Sequence, residues 1–170
     1  MNYPTLNPQV ATSQSVGGDF VVAKESRVAT YQCLIASPNH SRRQLLEEAA
    51  TEAGWDTVVC AYAPHAFSVT SELRFQLALI DIEMIESKAS QKRGSSDFRQ
   101  VCERIVSDGN DCLLAVYGGI GDSQEEIWAR QMGVWLYLPG IADVEGIRTL
   151  CNDARGITDQ MAKARKAVLS

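Results

Sequence analysis

Leu77-Ala78-Leu79-Ile80 is apolar at every position and ends directly on Asp81. A strand with no polar face can only be buried on both sides, which places it at the centre of a parallel sheet covered by helices above and below. Asp81 then stands where a central strand emerges, at the carboxyl edge where open α/β sheets place their sites. Everything else in the chain must supply the neighbouring strands and the covering helices.

From Tyr31 onward the sequence does supply them. Strand-length apolar runs are read at Tyr31 to Ala36, Thr57 to Tyr62, Cys112 to Tyr117 and Val134 to Leu138, the last closed by Pro139-Gly140. Between them lie stretches with helical spacing. Leu45, Leu46, Ala49, Ala50 and Ala53 share one face before a stop at Gly54, a weaker helix is expected near His65 to Leu73, and Phe98, Val101, Cys102, Ile105 and Val106 form the clearest buried stripe. A polar loop through Lys92, Arg93 and Gly94 precedes that stripe, and Ser123 with Glu126 has the spacing of a capping box. Alternating strands and helices of this kind make βα units on one parallel sheet.

A final helix opening near Asp143 carries Ile147, Leu150, Ala154, Ile157, Met161, Ala164 and Val168 at alternating steps of three and four. This heptad seam runs past the length one domain needs and must be covered. The two covers open to it are the chain's own sheet and N-terminal arm, or a second copy in a homodimer. Residues 1–28 are a polar arm without period, with the option of one added strand at Phe20-Val21-Val22. Residues 29–155 are read as the folded unit and 156–170 as an extension of its last helix.

A total of 170 residues gives one core of ordinary size. Sixteen basic against 21 acidic residues, a net charge of −5, leave no basic stripe for phosphate neutralisation, so nucleic acid is not an expected partner. No apolar run reaches the roughly 20 residues of a membrane helix, and the N-terminus lacks a signal-peptide plan, so the chain is expected in the cytoplasm and off the membrane. The five cysteines, Cys33, Cys60, Cys102, Cys112 and Cys151, fall mostly in apolar segments and read as reduced core residues. His40 and His65 have no partner at metal spacing and no nucleophile elbow is present, so an enzyme is not expected. Of the tryptophans, Trp55 and Trp135 read as packing residues, and Trp128 is open to packing or contact.

Cys33-Leu34-Ile35-Ala36-Ser37-Pro38-Asn39-His40-Ser41-Arg42-Arg43 is similar to the first strand and following turn of response-regulator receiver domains, and Leu77 to Glu83 resembles the strand that bears their phospho-accepting aspartate. The resemblance covers about residues 32–155 and implies a five-stranded, doubly wound, flavodoxin-like parallel sheet with an extended C-terminal helix. It makes Asp81 the phosphoacceptor candidate.

The chemistry that the resemblance implies needs a Mg²⁺ ion to offset two anions brought together. The family's metal-binding acidic pair falls here on Ala36 and Ser37, which supply no carboxylate. Asp81 and Glu83 are then the only, weak, candidates for Mg²⁺, and Glu83 matches a position that contributes a backbone carbonyl. The family's small hydroxyl ending the fourth strand falls on Tyr117, with Gly118 one residue away as the other placement, and its lysine ending the fifth strand falls on Gly140. With one of five groups kept, the resemblance implies a degenerate receiver that works through protein contacts, with a histidine kinase or another signalling protein as partner. No output module is expected.

Two other functions stay open on the residues. One is a phospho-accepting receiver that uses Asp81 in a phosphorelay, against which a strand-end aspartate paired with Arg42 or Arg43 is the plainer alternative. The other is a nucleotide or flavin binder using Gly118-Gly119-Ile120-Gly121, whose backbone amides can cradle a phosphate, although the lysine of a Walker loop is missing.

Overall fold

The computed structural model describes residues 31–82, 97–109, 111–140 and 143–169. The N-terminal arm, the loop around Lys92, Arg93 and Gly94, and Glu83 lie outside the described residues.

Five strands, β1 (Gln32–Ala36), β2 (Asp56–Cys60), β3 (Leu77–Asp81), β4 (Leu113–Gly118) and β5 (Leu136–Pro139), form one parallel sheet in the order β2-β1-β3-β4-β5. Five helices alternate with them: α1 (His40–Glu52), α2 (Ala63–Glu72), α3 (Phe98–Ser107), α4 (Ser123–Met132) and α5 (Val144–Val168). The uniformly apolar run lies in the middle, as its sequence demands, with every residue of β3 buried. Its alternate side chains enter two cores. Leu77 and Leu79 face α1 and α5, packing with Leu46, Ala50, Ile147 and Ala154. Ala78 and Ile80 face α2 and α3, packing with Ala66, Val101, Cys102 and Ile105.

The ends of the elements differ from the sequence reading where apolar residues pack without pairing. Tyr31 stands before β1 and meets Trp55 edge to face at 5.6 Å instead of joining the ladder. β2 starts at Asp56, whose amide donates to the Tyr31 carbonyl, and it ends at Cys60, because Tyr62 is already the N-cap of α2. β4 begins at Leu113 and includes Gly118, and β5 is displaced to Leu136–Pro139, with Trp135 packing on the core from outside the strand. Val106, read as part of the buried α3 stripe, is exposed.

The capping box expected at Ser123 and Glu126 does not form, and the helix starts one residue earlier than that reading has it. Asp122 is the N-cap, its carboxylate accepting from the amides of Gln124 and Glu125, so the third helical position is Glu125. Glu126 instead pairs with Arg130 one turn on.

α5 spans 25 residues, about 37 Å at 1.5 Å per residue. Ile147, Leu150, Cys151 and Ala154 are buried against the sheet, Ile157 and Met161 are partly buried, and Val168 and Leu169 are exposed. Side chains strap the second half of the helix under the amino edge of the sheet. Arg155 donates to the Ala53 carbonyl at 2.8 Å and lies 4.6 Å over the Tyr31 ring, the Tyr31 hydroxyl bonds Asp159, and Arg165 pairs with Asp111. Trp55 adds a bond from its indole nitrogen to the Cys151 carbonyl at 3.0 Å.

Candidate functional site

Asp81 is the last residue of β3 and is fully buried at the carboxyl edge of the sheet. A carboxylate there, away from water, needs both a hydrogen-bond donor and a positive charge nearby. The turn from β1 into α1 provides both. The Ser37 hydroxyl donates to Asp81 Oδ2 at 2.7 Å, and the Arg42 guanidinium lies 3.4 Å from Oδ1 and 3.3 Å from Oδ2.

The local sequence explains why these groups arrive together. Ser37 is held at the end of β1 by its own amide donating to the Cys60 carbonyl, and its oxygen in turn accepts from the Asn39 amide at 3.1 Å. Asn39 caps α1 by accepting from the Arg42 amide, which fixes the first turn of the helix. Arg42, one position before the end of that turn, can then lean back over the sheet edge. Arg43 does not reach Asp81 and donates instead to the Ser37 carbonyl at 2.7 Å. Of the two cations named from sequence, Arg42 is the one that meets the aspartate.

The described residues around Asp81 do not fit a Mg²⁺ ion. Ala36 is buried in the apolar core and offers no ligand, and the Ser37 proton is directed at the carboxylate that the metal would need. The guanidinium already lies on both Asp81 oxygens, so a divalent cation would be brought against a fixed positive charge. Among the described residues no group of three metal-ligating side chains comes together.

Tyr117 lies directly across from Asp81 in the β3–β4 register, on the same face of the sheet. Its ring is buried and its hydroxyl has no partner among the described residues. Burial, then the neighbouring thiols of Cys151 and Cys33, then Asp81, push the phenol well above its ordinary range, so it remains protonated. Gly118 serves a different purpose. A Cβ there would collide with the Tyr137 hydroxyl, so the glycine makes room for the Tyr137 ring to lie across the end of β4.

Gly140 has φ +79°, and a Cβ at this position would meet Ile120 at 3.0 Å. Its amide closes the edge by donating to the Gly118 carbonyl at 2.8 Å. Gly140, where the resemblance implies a lysine, therefore has a backbone that disfavours any side chain.

The glycine turn after β4 is also committed internally. Glu125 Oε2 accepts from the Gly119 amide at 2.7 Å, while Asp122 takes the amides of Gln124 and Glu125. A nucleotide phosphate would meet these carboxylates in place of free donors, which weighs against the nucleotide or flavin reading. Glu125 is the residue that sequence reasoning missed. Its signal was present in the spacing, an acid three residues after the Asp122 N-cap, although its carboxylate reaches the Gly119 amide and not that of Asp122.

The architecture is that of the receiver fold, and solved structures with this fold superimpose on it. The chain superimposes on a response regulator receiver domain protein (CheY-like) from Methanospirillum hungatei JF-1 with a TM-score of 0.63 at 14% identity, covering 80% of this chain and 99% of that one. It superimposes on the signal receiver domain of a putative Luxo repressor protein from Vibrio parahaemolyticus with a TM-score of 0.62 at 13% identity, covering 83% and 98%. With Vibrio cholerae chemotaxis protein CheY4 the values are 0.60 and 12%, over 74% and 99%. No family model matches the sequence, and no curated protein matches it. No helix among the described residues is long and apolar enough to cross a membrane.

Proposed function

We propose that this chain is a degenerate receiver, a signalling or adaptor module that acts through protein contacts and has replaced the phosphoryl and metal chemistry of its fold with an internal ion pair. The observation that carries this reading is the environment of Asp81: buried, bonded to Ser37 and paired with Arg42. In a working receiver the charge on this carboxylate is balanced by a metal and then altered by phosphorylation, and that change moves the fold. Here a side chain of the same polypeptide supplies the positive charge permanently. Tyr117 is too large to repeat the inward movement of a small hydroxyl, and Gly140 offers no cation for phosphoryl oxygens. The receiver-like unit, residues 29–155, then presents a constant surface to a signalling partner, such as a histidine kinase or another protein of that pathway.

A Mg²⁺ titration tests this, read by amide chemical shifts around β1, β3 and α1. Wild type should show no saturable change in millimolar Mg²⁺, whereas a variant with Ser37→Asp and Arg42→Ala, which restores one acid and removes the guanidinium, should show one. Saturable binding by wild type centred on Asp81 would overturn the reading.

A further inference from the structure

We propose that the N-terminal arm docks its one apolar run, Phe20-Val21-Val22, into the cleft between the C-terminal half of α5 and the amino edge of the sheet. The cleft has a volume of about 350 Å³ and is walled by Tyr31, Gln76, Thr158, Met161 and Ala162, with the Asp111–Arg165 pair at one side. That volume is at the lower end of the ~300–1,000 Å³ of ligand-sized pockets, and suits a few side chains of an extended segment.

The walls are built to be covered. α5 continues beyond Ala154, its last buried residue, and the straps from Arg155, Asp159 and Arg165 hold the continuation beneath the sheet edge. Thr158 Oγ1 faces this region buried and without a partner among the described residues, and the main chain of an incoming segment would supply one.

Chain continuity selects the occupant. The described structure begins at Tyr31, which is itself a wall of the cleft, so the arm is tethered at the place it is proposed to occupy. From Tyr31 back to Val22 is nine residues, a reach of up to about 30 Å at ~3.3–3.6 Å each. The arm's four charged residues, Asp19, Lys24, Glu25 and Arg27, sum to zero, so it meets the mixed charges of the cleft without net repulsion. A second copy fits less well. The α5 seam beyond Met161 exposes only small or single apolar residues, Ala164, Val168 and Leu169, well short of the ~800 Å² per partner of a stable interface.

Limited trypsinolysis of the full chain, followed by intact mass, tests the docking at Lys24 and Arg27. Two variants flank it, Phe20→Asp on the arm and Met161→Arg on the cleft, with near-ultraviolet circular dichroism to show that both stay folded. Wild type should be cut at these two sites about tenfold more slowly than either variant, the factor that ~1.4 kcal/mol of docking gives. Equal cleavage in all three would overturn the proposal. Protection of wild type that fades on dilution would also overturn it, by placing a second copy in the cleft.

Discussion

Replacing Arg42 by Met should cost more stability than replacing Asp81 by Asn, although both remove the same ion pair. Arg42→Met retains most of the aliphatic stem but leaves the Asp81 carboxylate, fully buried, without its guanidinium. Breaking a buried pair in this way costs ~3–5 kcal/mol, and an exposed pair only ~0.2–1 kcal/mol. The Arg42 side chain is 29% exposed and its contacts are long, 3.3 and 3.4 Å, so the expected cost lies between these limits, at about 1–3 kcal/mol. Asp81→Asn removes the buried charge itself, keeps a carbonyl for the Ser37 hydroxyl, and leaves Arg42 able to reach water, for a cost of ~1 kcal/mol or less. In the Asp81→Asn background, Arg42→Met should then cost less than it does in wild type. Urea unfolding followed by fluorescence of the three tryptophans measures all four proteins. If the two substitutions add within ~0.3–0.5 kcal/mol, Arg42 does not balance Asp81 and the ion-pair account fails.

Two further outcomes follow from the same geometry. Gly140→Lys restores the lysine of the receiver family in sequence, yet the positive φ and the 3.0 Å approach to Ile120 should make it destabilising by about 1–3 kcal/mol in thermal melts, with no gain in phosphorylation. Stability should also fall at alkaline pH. Burial pushes the Cys151 thiol up to about 12 in the folded chain, while in the unfolded chain it ionises near its ordinary ~8.5. The folded state therefore holds the proton longer, its advantage is complete below pH ~8.5, and it is lost as pH rises from there towards 12. Urea midpoints measured from pH 7 upward should decline above this point, and less steeply in Cys151→Ala.

The sheet was readable because its signal is the strongest available to a chain of this kind. Leu77 to Ile80 permits no exposed face, and the neighbouring runs alternate with helical stripes whose apolar residues, Val106 and the far end of α5 apart, the structure places in the two cores. Strand ends were less readable, since Tyr31, Tyr62 and Trp135 are as apolar as the residues that pair, and only the ladder separates packing from pairing. The Asp81 position was legible from its strand. Around it the resemblance implied absences, no acid at Ala36 or Ser37 and no lysine at Gly140, while the residues themselves offered Arg42 or Arg43 as a cation for the aspartate. The positive content, Ser37 bonded to the carboxylate and Arg42 paired with it, depends on how the Asn39 cap sets the first turn of α1, and spacing alone left Arg42 and Arg43 equivalent. Gly140 read as a lost cation, whereas its φ gives it a backbone role that no residue count reveals.

Intact-mass analysis of the folded protein after incubation with acetyl phosphate and Mg²⁺, with Asp81→Asn alongside, tests the central claim most directly. The internal pairing of Asp81 predicts no phosphoryl adduct on either protein. An adduct on wild type that is absent from Asp81→Asn would contradict it, and would make Asp81 a working phosphoacceptor in spite of Arg42.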